Sequence, residues 1–116
     1  MSETPLIVEH AEAAYEAIRS ICHDAPAAVP APHLYQVLGD LKNAAGYTQA
    51  KALEKLASAL ERSLSEYDVY EDDGADPKLR VKSAVKAMRL AAEHASKVGE
   101  ALDAAQTAIN RQGYRD

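Results

Sequence analysis

The fold is decided by residues 76–111, which read DPKLRVKSAVKAMRLAAEHASKVGEALDAAQTAINR. Asp76 offers a side-chain oxygen to free N–H groups at a helix start, and Pro77 suits the first helical position. Positions that are apolar in seven cases of nine, with Gly99 and Gln106 weakening the row, then recur at alternating spacings of three and four, the pattern of a coiled coil. We name these positions the seam: Val81, Val85, Met88, Ala92, Ala95, Gly99, Leu102, Gln106 and Ile109. Gly113 suits a C-terminal cap, so the sequence predicts one helix over 77–111, about 50 Å long.

The second half of this predicted helix is rich in alanine, which permits close approach of two backbones and favours the helical state. The alanines concerned are Ala91, Ala92, Ala95, Ala101, Ala104, Ala105 and Ala108. We therefore expect a partner helix to come closest near this end. Charged residues such as Glu93 and Lys97 interrupt the segment, which argues against a membrane-spanning helix.

Composition indicates one helical domain, residues 1–116, with a modest core. The chain is 47% hydrophobic, but 24 of those residues are alanine and there is no Phe or Trp, so oligomerisation is an expected way to bury more surface. The net charge of −5 argues against nucleic acid as a general partner. The single Cys22 excludes an internal disulfide and fits a reducing cytoplasm, and we find neither a secretory signal nor a membrane span.

The remaining apolar spacing predicts three more helices, about 5–23, 33–45 and 48–71. A proline-rich connector, 24–32, follows the first of them, which opens on another cap-plus-proline pair, Thr4-Pro5. We predict an all-α hairpin or bundle of three to four helices. In it the segment 33–71 runs antiparallel to 77–111 and the first helix packs alongside.

Three local features accompany this arrangement. Gly46 either breaks or kinks the arm, and the sequence leaves both possibilities open. Thr48 is a candidate cap for the third helix. Tyr67 is expected in the core, whereas Tyr70 is a candidate exposed contact.

No motif indicates catalysis, a cofactor or a metal. Cys22, His23 and Asp24 are neighbours in sequence, but a catalytic triad is assembled by geometry rather than by adjacency. The four histidines lack the spacing that aims ligands inward from one helix face. The Asp-rich segment 71–76 does not fit a calcium-binding loop, because Val69 and Arg80 fall on ligand positions. The expected protein is not an enzyme.

Basic residues form a stripe along one side of the last predicted helix. This basic stripe consists of Lys78, Lys82, Lys86, Arg89 and Lys97. Such a stripe can bind phosphate backbones, or it can be a solvated surface that balances the acidic residues before it. The second interpretation is favoured because no aromatic residue is interleaved with the bases.

Two resemblances are visible. Tyr67-x-x-x-Glu71 is similar to the export signal of the helical-hairpin substrates of type VII secretion, although their Trp-x-Gly turn is absent. Residues 34–113 resemble short uncharacterised actinobacterial proteins, several of them found among mobile-element genes. The Leu53-to-Leu64 ladder, the turn from Tyr67 to Pro77 and the closing AQTAIN of 105–110 carry this second likeness. It implies a helical fold and no particular activity.

The leading hypothesis is a non-enzymatic helical protein-interaction module, a dimer or other homo-oligomer. The candidate interface residues are Val81, Val85, Met88, Ala92, Ala95, Leu102, Ile109 and Tyr70. One alternative is an accessory nucleic-acid-binding protein that uses the basic stripe. The other is a secreted hairpin of the type VII kind.

Overall fold

The computed structural model describes residues 4–115, so residues 1–3 and 116, the ends of the predicted 1–116 domain, lie outside it. This part of the chain is all helical and contains no strand. Its helices are α1 (Leu6–Asp24), α2 (Ala31–Leu41), a π-helix (Lys42–Tyr47), α3 (Thr48–Glu66) and α4 (Pro77–Ala108). The predicted all-α hairpin, or bundle around a long last helix, is confirmed.

The long helix α4 begins as predicted and ends slightly earlier. The Oδ1 of Asp76 accepts a hydrogen bond from the backbone N–H of Lys78 at 3.0 Å, and Pro77 is the first helical residue. The helix then continues unbroken to Ala108, where a short turn closes it. Gly113 lies beyond that turn and lacks a positive φ, so the predicted glycine cap is wrong.

α2, the π-helix and α3 form one continuous arm from residue 31 to residue 66. Gly46 lies inside the π-helix, so the backbone is wound wider there and does not break. The predicted cap at Thr48 is wrong, because Tyr47 is already helical and leaves no free helix start at that point. The arm begins at Ala31, two residues earlier than expected, since Pro32 suits the first turn.

The arm runs antiparallel to α4 and covers its seam. Every seam residue is buried or half-buried, and helix α4 contacts α2, the π-helix and α3 in turn. The two backbones come close together at Gly46, where an added Cβ would lie 2.5 Å from the Cα of Gly99. The seam is therefore covered along its whole length, and this close contact lies in the alanine-rich half.

The core between the two arms is thin. Among residues 4–115 the buried apolar side chains are Ala31, Ala50, Ala57, Val85, Ala92 and Ala95. The accessible surface is 9217 Å², whereas a compact monomer of this mass exposes about 6,200 Å². The chain thus leaves far more surface in water than a globular protein of its size.

The third helix ends at Glu66, five residues before its predicted end. Tyr67 is extended, with φ −131° and ψ 154°, and its side chain is 73% exposed. The prediction that Tyr67 belongs to the core is therefore wrong, because the helix that would have directed its ring inward has already stopped. Tyr70 is exposed as expected.

The first helix does not pack alongside the hairpin, contrary to the prediction. Within residues 4–115, α1 contacts no other helix, and all its residues are exposed. The seam is already filled by the arm, and the connector 25–30 holds Pro26 and Pro30 and no glycine. It is extended at both ends, at Ala25 and Pro30, and so carries α1 away from the hairpin.

Candidate interaction surface

α1 is an amphipathic helix whose apolar side faces water. At about 100° per residue, one side collects most of its large apolar residues. We name this side the α1 stripe: Ile7, Val8, Ala11, Ala14, Tyr15, Ile18, Ile21 and Cys22. Tyr15 is 65% exposed and the isoleucines are exposed too. Glu9, Glu12 and Glu16 occupy the polar side, with Arg19 ion-paired to Glu16 at 3.2 Å.

A shallow groove lies along one side of the α3–α4 contact. Its floor is apolar, formed by Leu64 of α3 with Val81, Val85 and Leu90 of α4, and its volume is about 740 Å³. The remaining lining residues are charged: Glu61, Lys78, Lys82, Lys86, Arg89 and Glu93. Leu90 is a large apolar side chain that is 53% exposed.

The groove continues along the same side of the hairpin into a second depression of about 530 Å³. This depression is lined by residues of the range 47–55 on the arm and of the range 92–96 on α4. It shares Glu93 with the first depression. We name the two together the α3–α4 groove. On α4 it extends from Lys78 to Ser96, about 27 Å at 1.5 Å per residue.

The basic stripe forms one rim of this groove, but its members differ in their pairing. Arg89 bridges across to α3, with Nη2 at 2.5 Å from Glu61 and Nε at 3.5 Å from Glu54. Lys78, Lys82 and Lys86 make no ion pair with any residue of 4–115. Lys97 lies beyond the groove and is exposed. Three of the five predicted residues thus present an uncompensated positive edge.

The predicted interface residues of the seam lie inside the hairpin. Val85, Ala92 and Ala95 are buried, and the others are half-buried, namely Val81, Met88, Leu102 and Ile109. They contact the arm of their own chain and are not free for a second copy while the hairpin is closed. Tyr70 is 77% exposed in the loop after α3.

Sequence reasoning missed the availability of α1. The signal was present, because the α1 stripe is a complete apolar face and a connector with two prolines and no glycine follows it. Such a connector favours an extended segment over a tight turn between α1 and α2. The pairing of the hairpin was predicted correctly, but the first helix was expected to pack alongside it and contacts no other helix of residues 4–115.

The far end of the seam is closed by a polar cluster. The Nζ of Lys42 donates to Asp103 Oδ1 at 2.9 Å and to Gln106 Oε1 at 2.8 Å. The buried Gln106 donates from Nε2 to the carbonyl of Tyr35 at 3.0 Å. The hydrogen bond to Asp103 raises the pKa of Lys42, so this lysine stays charged. The cluster holds α2 against α4, and the hydrogen bonds described here all lie within the hairpin.

The described residues form no arrangement typical of catalysis or metal binding. His23 Nδ1 lies 3.1 Å from Asp24 Oδ1, and both side chains are open to solvent. Cys22 is a free, exposed thiol. Within 4–115, no three His, Cys, Asp or Glu side chains group closely enough to hold a metal ion. Over the same range, no helix combines the length and apolar character that a membrane crossing requires.

Comparison with known proteins adds no relative. No protein-family model, curated protein or solved structure matches the chain. The resemblances noted from the sequence therefore remain predictions, and the surfaces described above are the basis for any functional conclusion.

Proposed function

We propose that this protein is a non-enzymatic, cytoplasmic helical interaction module that self-associates, and that α1 carries the contact. One observation supports this most directly: an amphipathic helix of 19 residues contacts no other helix of residues 4–115. Most helices in proteins gain their stability by packing an apolar face against other structure rather than from helix propensity alone. The exposed α1 stripe therefore indicates that α1 packs against a partner surface.

The surface of the whole chain supports the same proposal. The accessible area exceeds that of a compact monomer by roughly half. Burial of apolar area contributes about 25 cal/mol per Å², and each large stripe residue that becomes covered adds about 1.5–3 kcal/mol. Association is the means by which a chain with so thin a core gains this energy, since its own hairpin offers α1 no place in the seam.

The test is light scattering coupled to size exclusion at several protein concentrations. The full chain is expected to exceed the monomer mass as concentration rises. Ile18→Asp, in the middle of the α1 stripe, is expected to weaken association more than tenfold, because it removes about 2 kcal/mol of apolar burial and adds a charge. Ser20→Asp, on the polar side of the same helix, is the matched control. A chain that stays monomeric at the highest concentration contradicts the proposal.

A second candidate function rests on the unpaired lysines of the groove. Lys78, Lys82 and Lys86 follow one another at intervals of four, which places three positive charges in a row on one side of α4. An accessory nucleic-acid-binding role predicts salt-dependent retention of DNA that Lys82→Ala weakens. Glu61 and Glu93 line the same groove and repel phosphate, which makes self-association the better-supported function.

A further inference from the structure

We infer that α1 of one copy lies in the α3–α4 groove of a second copy, antiparallel to that copy's α4, and that the two copies exchange α1 reciprocally. This inference rests on the proposed self-association and names its surfaces. The α1 stripe supplies the apolar face, and the floor of the groove, with the exposed Leu90, receives it.

The dimensions of the two surfaces agree. α1 has 19 residues, which corresponds to about 28 Å, and the α3–α4 groove extends about 27 Å along α4. The middle of the groove is crossed by the bridge from Arg89 to α3. Ala11 and Ala14 of the α1 stripe are small and leave room for that bridge, with the larger Tyr15 beside them.

Charge determines the direction of the helix. Seen from the N-terminus of α1, Glu12 and Glu16 lie about 110° and 150° clockwise from the centre of the stripe, at 100° per residue. Together with Arg19, which lies at about 90° and is ion-paired to Glu16, they occupy one flank of the helix when the stripe faces the groove, and these three charges leave the flank net negative. If α1 runs antiparallel to α4, this flank faces the unpaired Lys82 and Lys86.

The opposite direction is disfavoured. If α1 ran parallel to α4, the same flank would face α3, where Glu54 and Glu61 are already paired with Arg89 and lie near Lys51 and Lys55, so it would meet no net positive charge. The antiparallel direction also brings the C-terminal end of α1, with Arg19, towards the loop that carries the exposed Asp72.

The antiparallel direction requires a second copy. It places the C-terminus of α1 beside Lys78, whereas α2 starts at the other end of the hairpin, where Tyr35 meets Gln106. Lys78 and Gln106 are 28 residues apart along α4, which corresponds to about 42 Å. The connector 25–30 has six residues and reaches about 25 Å at most, so α1 cannot enter its own groove in this direction.

Reciprocal exchange closes the assembly. In this arrangement the start of α2 of one copy lies near the α3–α4 loop of the other, and the converse holds as well. Two hairpins that lie side by side in opposite directions place the α1 helix of each copy in the groove of the other. One two-fold axis relates the two copies, so the assembly stops at a dimer.

The first test is a charge exchange read by dimer dissociation. Lys82→Glu with Lys86→Glu is expected to weaken the dimer at least tenfold, and adding Glu12→Lys with Glu16→Lys is expected to restore it. Ala91→Glu, an exposed position on the other side of α4, is the matched control. The groove assignment is overturned if Ala91→Glu dissociates the dimer and the lysine reversals do not, or if the fourfold variant stays dissociated although circular dichroism shows intact helices.

The second test locates α1 directly and uses Cys22, the only cysteine, as the point of attachment for a spin label. A spin-labelled, isotopically unlabelled copy is mixed with a ¹⁵N-labelled Cys22→Ser copy, so any broadening arises between copies. The amide signals of Leu64 and Val81 are expected to broaden, and that of Ser96 is not.

The outcomes separate this inference from the proposed function. A dimer without broadening between copies, or with broadening at Ser96 instead, overturns the docking in the groove and leaves self-association intact. A chain that is monomeric in light scattering overturns both. Broadening at Leu64 and Val81 within a mixed dimer supports both.

Discussion

At the scale of single residues, the hairpin depends on glycines where two backbones meet. The space that a side chain at Gly46 would need is occupied by the backbone of Gly99, and a side chain at Gly99 would meet the ring of Tyr47 at 2.8 Å. Backbone cannot move aside as a flexible side chain can. Gly46 therefore requires glycine because of contact between helices and not because of an unusual torsion angle, whereas a side chain at Gly99 would require the Tyr47 ring to shift.

Gly46→Ala is expected to destabilise the hairpin by about 1–3 kcal/mol, because the new methyl group forces α4 away from the arm. The free energy of unfolding in urea measures this effect. Gly113→Ala is the matched control, since an added Cβ there meets nothing within 4 Å. Equal stability of the Gly46 variant and the wild type would show that the helices do not approach as closely as described.

At the scale of elements, the loop between α3 and α4 is fixed by one arginine. Arg80 pairs with Glu71 at 3.0 Å and with Asp73 at 2.6 Å. Asp73 Oδ1 also accepts from the backbone N–H of Ala75 at 3.1 Å, and Gly74 supplies the positive φ of 78° that the turn needs. Glu71 and Asp73 thus organise the turn before the helix.

The turn is expected to weaken in acid. The N–H of Ala75, followed by Arg80, holds the pKa of Asp73 below its ordinary value. The folded state therefore binds this proton less well than the unfolded state. Its stabilising effect is complete above the unfolded pKa, about 3.9, and is lost as pH falls through the lower folded pKa.

Asp73→Asn is expected to reduce the loss of melting temperature between pH 7 and acid below pH 4, since it removes this titrating group. Melting curves followed by circular dichroism measure the difference. Asp68→Asn, an exposed acid of the same loop, is the control. The same acid sensitivity in the Asp73 variant and the wild type would remove Asp73 from this role.

The sequence predicted a structural element correctly where its pattern of residues is compatible with only one local structure. The seam and the Asp76-Pro77 start were predicted correctly because apolar periodicity and capping chemistry are local. Tyr67 and Thr48 were misassigned because each depends on where a neighbouring helix stops or continues. α1 was misplaced for a different reason, since its pattern specifies an apolar face and contains no information on which surface covers it.

At the scale of the whole molecule, the chain is elongated. Its radius of gyration is 19.0 Å and its extents are 65 × 33 × 21 Å. A compact domain of this length has a radius of gyration of about 13 Å. A two-armed hairpin and a projecting α1 account for this shape, and both leave long faces uncovered.

Hydrogen exchange is expected to divide the molecule in two. The amides of α1 are expected to exchange fast in dilute protein and to become protected as concentration rises, because association covers the α1 stripe. The amides of α4 near Ala92 and Ala95 are expected to be protected at every concentration. Mass spectrometry of peptides from both helices measures this, and protection of α1 that does not change with concentration would argue against association through this helix.

The π-helix at Lys42–Tyr47 affects how the length of the arm can change in evolution. A π-turn holds one residue more than an α-turn, and it takes up that residue without rotating the helix on either side. Chain length can therefore change by one at this point while Gly39 before it and Leu53 after it still meet α4. Elsewhere in the arm the same change would turn every later side chain by about 100°.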